Sequence, residues 1–147
     1  MSSYSFRPEI SPIEVLATTA SLTAIRLWLD DDFIDRAAPR GWVHVATVGQ
    51  AKALIGTGLV IELSLDNDLS NDELYGVGIQ VIDYICEEQV ANGRDFWPEG
   101  GIILHTANPS SRDAMERAIK RYGGLGHRVE KSFTASGKPR FTFRPLG

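Results

Sequence analysis

Three apolar runs in this chain each stop abruptly at a group of polar residues. Residues 25–29 run into Asp30, Asp31 and Asp32; residues 59–65 run into Asp66, Asn67 and Asp68; residues 102–104 run into His105, Thr106, Ala107 and Asn108. Runs this short and continuous suit buried strands. The segments between them carry helix signals, and strands alternating with helices imply an α/β domain around a parallel sheet. In an open sheet of that kind, ligands bind beyond the carboxyl ends of the strands. All three polar groups are therefore expected to meet at one edge. The same pattern constrains both the fold and the place to look for chemistry.

The remaining elements follow from local signals. Residues 1–10 read as a loose polar start, and Ser11-Pro12 as the cap and first turn of a short helix. Val43-His44-Val45 suits a short strand, and residues 50–55 a short helix closed by Gly56 and Gly58. Ser70 and Glu73 have capping-box spacing, predicting a helix to about Val90 with Val77, Val81, Ile82 and Ile85 on one face. Asn108-Pro109 opens another helix, to about Tyr122, stopped by Gly123 and Gly124. Residues 127–144 alternate on both sides of Ser136-Gly137-Lys138-Pro139, which predicts a β-hairpin. No repeat or linker interrupts the chain, so residues 1–147 read as one domain.

Composition narrows the partners. A formal net charge of −4 gives no reason to expect extended nucleic-acid binding, which needs a broad basic face. A small anion held through a metal is compatible with it. The single cysteine, Cys86, and the lack of a signal-peptide pattern or a long apolar stretch point to a cytoplasmic protein that meets no membrane.

Carboxylates are the ligands that hard cations such as Mg²⁺ or Mn²⁺ prefer. Asp30 and Asp31 after one strand, with Asp66 and Asp68 after another, form a candidate metal set. Asp32, Asp35, Asp72 and Glu73 are read as loop starts and helix caps. His105 can move a proton near neutral pH or ligate a metal. His44 and His127 are assigned to the interior. Asn108 caps its helix, whose N-terminus also presents free N–H groups to an anion. Thr106 can bond phosphate or its neighbours. Trp42, in a loop, is the better tryptophan for a ligand contact; Trp28 reads as core, and Trp97 as a lid or surface anchor.

The acid pair and the later Asp66 resemble response-regulator receiver domains. The third run departs from them: it has His105-Thr106-Ala107-Asn108-Pro109 in place of a lone Ser or Thr. Leu27-Trp28-Leu29-Asp30-Asp31, Gly41-Trp42, Ser64-Leu65-Asp66-Asn67-Asp68-Leu69 and His105-Thr106-Ala107-Asn108-Pro109, in that order, resemble the cyclic-phosphate processing receiver-like family over about residues 26–119. The resemblance implies a receiver-like, flavodoxin-like three-layer α/β sandwich with a central parallel sheet. It implies metal-assisted action on a cyclic phosphate of a nucleotide, an ADP-ribose derivative or an RNA end. It carries Asp30, Asp31, Asp66, Asp68, His105 and Asn108 as site residues, and among them His105 and Asp66 are read as the catalytic candidates. Asn67 stands where the family usually has His. The family's Arg after the acid pair has Arg36 or Arg40 as substitutes here. The competing expectation is a receiver-like module that binds, sequesters or signals through a nucleotide without turnover.

Overall fold

The computed structural model describes residues 4–146. Its seven strands are β1 (Tyr4–Phe6), β2 (Ile25–Leu29), β3 (Val43–Val45), β4 (Val60–Leu65), β5 (Ile102–Leu104), β6 (His127–Phe133) and β7 (Pro139–Pro145). They form one sheet in the order β1-β3-β2-β4-β5-β7-β6. The first five are parallel to their neighbours; β7 runs antiparallel to β5, and β6 antiparallel to β7. The architecture is the expected receiver-like α/β fold, and the C-terminal hairpin forms over the segment anticipated for it. The chain leaves β2 toward β3 on one side, then returns past it to β4 on the other. That reversal is the topological switch point, and it opens a crevice beyond the ends of β2 and β4.

The helices are α1 (Pro12–Thr18), α2 (Val48–Ile55), α3 (Asp72–Tyr75), α4 (Ile79–Asn92) and α5 (Pro109–Ala118), the last continued by a π-helical turn over Ile119–Gly123. They contact one another in a row: α1 on α2, α2 on α4, α4 on α5. Strand residues alternate between faces. Register-paired Leu27, Leu63, Ile102 and Phe141 are fully buried in one cluster with Leu54, Val81, Ile82, Ile85 and Met115 of the helices. The alternate residues Arg26, Trp28, Glu62 and Ser64 turn to the other face. There Glu62 binds both Arg26 and Arg140. The β2-to-β3 crossover would supply a helix to that face in a three-layer sandwich; here it is irregular.

Three expectations need correction. Residues 4–6 are not loose: they pair with β3, and Phe6 is buried. Three residues carry no readable alternation, and the strand is held by the fully buried Gln50, whose amide donates to Arg7 and Ile10 carbonyls. Residues 1–3 lie outside the described residues. The helix anticipated from Ser70 to Val90 is two helices. Asn71, not Ser70, caps α3 through Leu74 N–H, and Gly76 breaks the chain with φ +82°. Trp97 is neither lid nor surface anchor. It is buried in the core cluster, and its Nε1 donates to Gln89.

Candidate functional site

The sheet's hydrogen-bond ladder runs one residue past each strand. Asp30 N–H donates to Val45 O, Asp66 N–H to Leu29 O and His105 N–H to Leu65 O, all at 3.0–3.1 Å. The three residues are thus held level with one another at the switch point. Each follows a leucine that points into the core, so each points to the polar face.

Asp30 is fully buried. One carboxylate oxygen accepts from Asp32 N–H at 2.9 Å and the other faces His105 Nε2 at 3.0 Å. Asp66 is 1% exposed; Oδ1 accepts from Asn67 N–H at 2.9 Å, while Oδ2 has no hydrogen-bond partner. Asp31 accepts from the backbone N–H of Ser70 at 3.0 Å and from its hydroxyl. That bond explains why Ser70 does not cap a helix. Carboxylate oxygens of Asp30, Asp31 and Asp66 lie within 4.8 Å of one another. Burial, and then the charge of Asp30, raise the Asp66 carboxyl above its ordinary range; Arg36 and His105 oppose this less strongly.

These features fit a hard divalent cation. The donors are all carboxylate oxygens, and one buried oxygen lacks any donor to satisfy it. Asp30, Asp31 and Asp66 are the residues that would hold it. Asp68 lies outside this close set. It is exposed and accepts from Ser111 Oγ at 3.3 Å.

Arg36 spans the acids. Its Nε is 3.7 Å from Asp30 Oδ2 and its Nη1 3.5 Å from Asp66 Oδ2. Arg40 is exposed and makes no ion pair among the described residues. Two cavities flank Arg36. One, of about 450 Å³, is lined by Asp31, Phe33 and Ser70; the other, of about 280 Å³, by Asp66, Thr106 and Asn108. Arg36 and Asp68 line both.

His105 is buried with both ring nitrogens engaged: Nε2 on Asp30, and Nδ1 2.7 Å from Ser64 Oγ. A carboxylate only accepts, so Nε2 carries a proton, and Nδ1 and the Ser64 hydroxyl share the second bond. The ring stacks on Trp28 at 4.1 Å between centroids. Trp28 Nε1 donates to Arg36 O, and Trp42 meets the Trp28 ring edge-on at 5.8 Å. Asn108 caps α5 through Ser110 and Ser111 N–H, and buried Thr106 accepts from Asn108 N–H.

His44 supports the site from behind, as an interior residue should. Nδ1 accepts from Ala38 N–H, so Nε2 donates to Asp30 O at 2.7 Å; burial lowers its pKa. His127, the other interior histidine, binds Gly123 O and Asp95 away from the site. The hairpin's Arg140 and Lys131 are held on Glu62 and Glu116, so neither reaches the acids. Ser64 and Ser70 are the site residues that motif reading missed. Ser64 had a signal: it is polar within an apolar run and two residues before Asp66, hence on the same face.

Residues 25–121 match the family model described as the cyclic-phosphate processing receiver domain. No match was found among curated proteins or among solved structures. Among the described residues, no helix is long and apolar enough to cross a membrane.

Proposed function

We propose, from the premise that this chain belongs to the cyclic-phosphate processing receiver domain family, that it is a metal-dependent phosphoesterase. It opens the cyclic phosphate of a nucleotide, an ADP-ribose derivative or an RNA end. The observation that carries this reading is the buried Asp66 Oδ2, left without a hydrogen-bond donor among three converging carboxylates. Arg36, 3.5 Å away, offsets part of the charge without a hydrogen bond to that oxygen, and a divalent cation would ligate it directly.

Opening the ring adds water across one P–O bond. A hydroxyl joins phosphorus, the bond to one sugar oxygen breaks, and that oxygen gains a proton, leaving a phosphate monoester. A bound Mg²⁺ or Mn²⁺ supplies Lewis-acid stabilisation of the phosphoryl oxygens. Arg36 supplies the cationic arm for the phosphate, and Thr106 and the Asn108-capped head of α5 the polar wall. His105 holds Asp30 through Nε2. His105 is thus first a positioning residue, and it gives up a proton only if the bond to Asp30 rearranges.

The test is a panel of nucleoside 2′,3′-cyclic phosphates, an ADP-ribose cyclic phosphate and a short RNA with a cyclic end. Each is incubated with Mn²⁺ or with chelator. Metal-dependent monoester formation that Asp66→Asn abolishes supports the reading. Binding without turnover favours the sequestering or signalling module, and neither binding nor turnover across the panel defeats the proposal.

A further inference from the structure

We infer that Arg36 and a divalent cation are alternative occupants of the Asp30–Asp66 pair, and that cation entry converts Arg36 into the anion-binding arm of the cavity at the head of α5. The inference rests on the metal site of the proposed function and adds an order of binding to it.

Arg36 sits at ion-pair distance from both acids, at 3.7 and 3.5 Å, yet leaves Asp66 Oδ2 without a hydrogen bond. It offsets charge without satisfying the oxygen. A cation of twice the charge that ligates the oxygen directly does both, so it displaces the guanidinium. Little has to move. The Arg36 carbonyl is pinned by Trp28 Nε1 at 3.0 Å, and the preceding turn by Asp32 Oδ1, which accepts from Ile34 and Asp35 N–H. The Arg36 side chain is 42% exposed, so it can swing about its own torsions while the backbone stays.

The cavity it swings into explains the order. Asp66 and Asp68 line it, and Arg36 is its cationic lining residue. While Arg36 is committed to the acids, a phosphate entering there meets the excess negative charge that one guanidinium leaves on Asp66 and Asp68. A cation on the acids removes that repulsion and frees Arg36 toward Thr106 and Asn108. Cation and phosphate therefore bind cooperatively, and each raises the affinity of the other by the same factor.

The experiment titrates Mn²⁺ into the full chain by calorimetry, with and without inorganic phosphate, for wild type, Arg36→Gln and Arg36→Lys. Arg36→Gln should bind Mn²⁺ about 5- to 10-fold more tightly than wild type, since no side chain competes for the acids. In wild type, phosphate should tighten Mn²⁺ binding, and Arg36→Gln should lose most of that coupling. Arg36→Lys, which keeps the charge, should stay near wild type. Equal or weaker Mn²⁺ binding by Arg36→Gln, with a melting curve like that of wild type, overturns the exchange while leaving the metal site standing. Absence of Mn²⁺ binding in wild type defeats the metal site, and the exchange with it.

Discussion

Gly78 packs directly on the carbonyl oxygen of Asp66, so closely that a Cβ at that position would clash with it. Its N–H donates to Asn67 O at 2.9 Å, and Asn67 Oδ1 accepts from Ile79 N–H at the start of α4. The loop carrying Asp66 is thus clamped to the helix that follows it. Gly78→Ala must push the two backbones apart. We expect it to cost about 1–3 kcal/mol of stability, as overpacking does. Mn²⁺ affinity should fall as well, although residue 78 offers no ligand. Denaturant melts and calorimetry on the same preparation check this; wild-type values in both would show that the Asp66 loop is not held by the helix.

Asp66→Asn should separate metal binding from folding. The carboxyl's pKa is raised in the fold, so the native state binds more protons than the unfolded chain above the ordinary value of 3.8. Stability is thereby lost as pH rises through the interval between the two values. At neutral pH and without metal, the neutral amide removes that cost. The variant's Tm should exceed wild type by about 2–4 °C per kcal/mol relieved, and the gain should vanish below pH 3.8. A variant that melts lower at pH 7 would contradict the electrostatic account of Asp66.

The same raised pKa sets the pH range of metal binding. Protonated Asp66 is not a ligand, so Mn²⁺ affinity should fall as pH drops through a midpoint above that of an ordinary aspartate. A midpoint at or below pH 3.8 would count against Asp66 as a ligand.

His105→Ala removes a donor from Asp30 and the hydrogen-bond partner of Ser64, both buried. Leaving buried polar groups unsatisfied costs about 1–3 kcal/mol. His105→Gln, which can restore a donor to Asp30, should recover part of that loss. If His105 also delivers the proton, both variants should lose on the order of 10²–10⁴ in kcat with little change in ligand affinity. Recovery of rate by Gln would confine the histidine to positioning.

His44 is held neutral by burial, its pKa depressed from 6.5. The unfolded chain then takes up a proton at higher pH than the native state does. This contribution to stability is intact above pH 6.5 and is lost as pH falls through the depressed native value. Thermal melts between pH 7.5 and 5 should show that loss in wild type and less of it in His44→Gln. Parallel curves would place the acid sensitivity elsewhere.

Much of this molecule is legible because its signals are local. The ends of β2, β4 and β5 are marked by Asp30, Asp66 and His105 themselves, and α5 announces its start with Asn108-Pro109. The hairpin alternates over enough residues to be read. The misreadings have tertiary causes. Tyr4–Phe6 is a strand only because β3 offers an edge and Gln50 ties down the chain after it. Ser70 has the right spacing for a cap, but Asp31, 39 residues away, claims its hydroxyl. Arg36 and Arg40 look equivalent in sequence, and only the path of the loop brings Arg36 onto the acids.

Trp28 stacks on His105 and bonds the Arg36 carbonyl, so one indole touches the histidine and the arginine of the site. Trp97 lies buried on Gln89, outside it. The protein therefore carries a built-in optical reporter beside a built-in reference. Rearrangement of His105 changes the ring environment of Trp28 and leaves that of Trp97 as it was. Intrinsic emission can then follow occupancy of the cleft without an attached dye, once Trp42 is replaced by Phe to leave Trp28 as the sole emitter there.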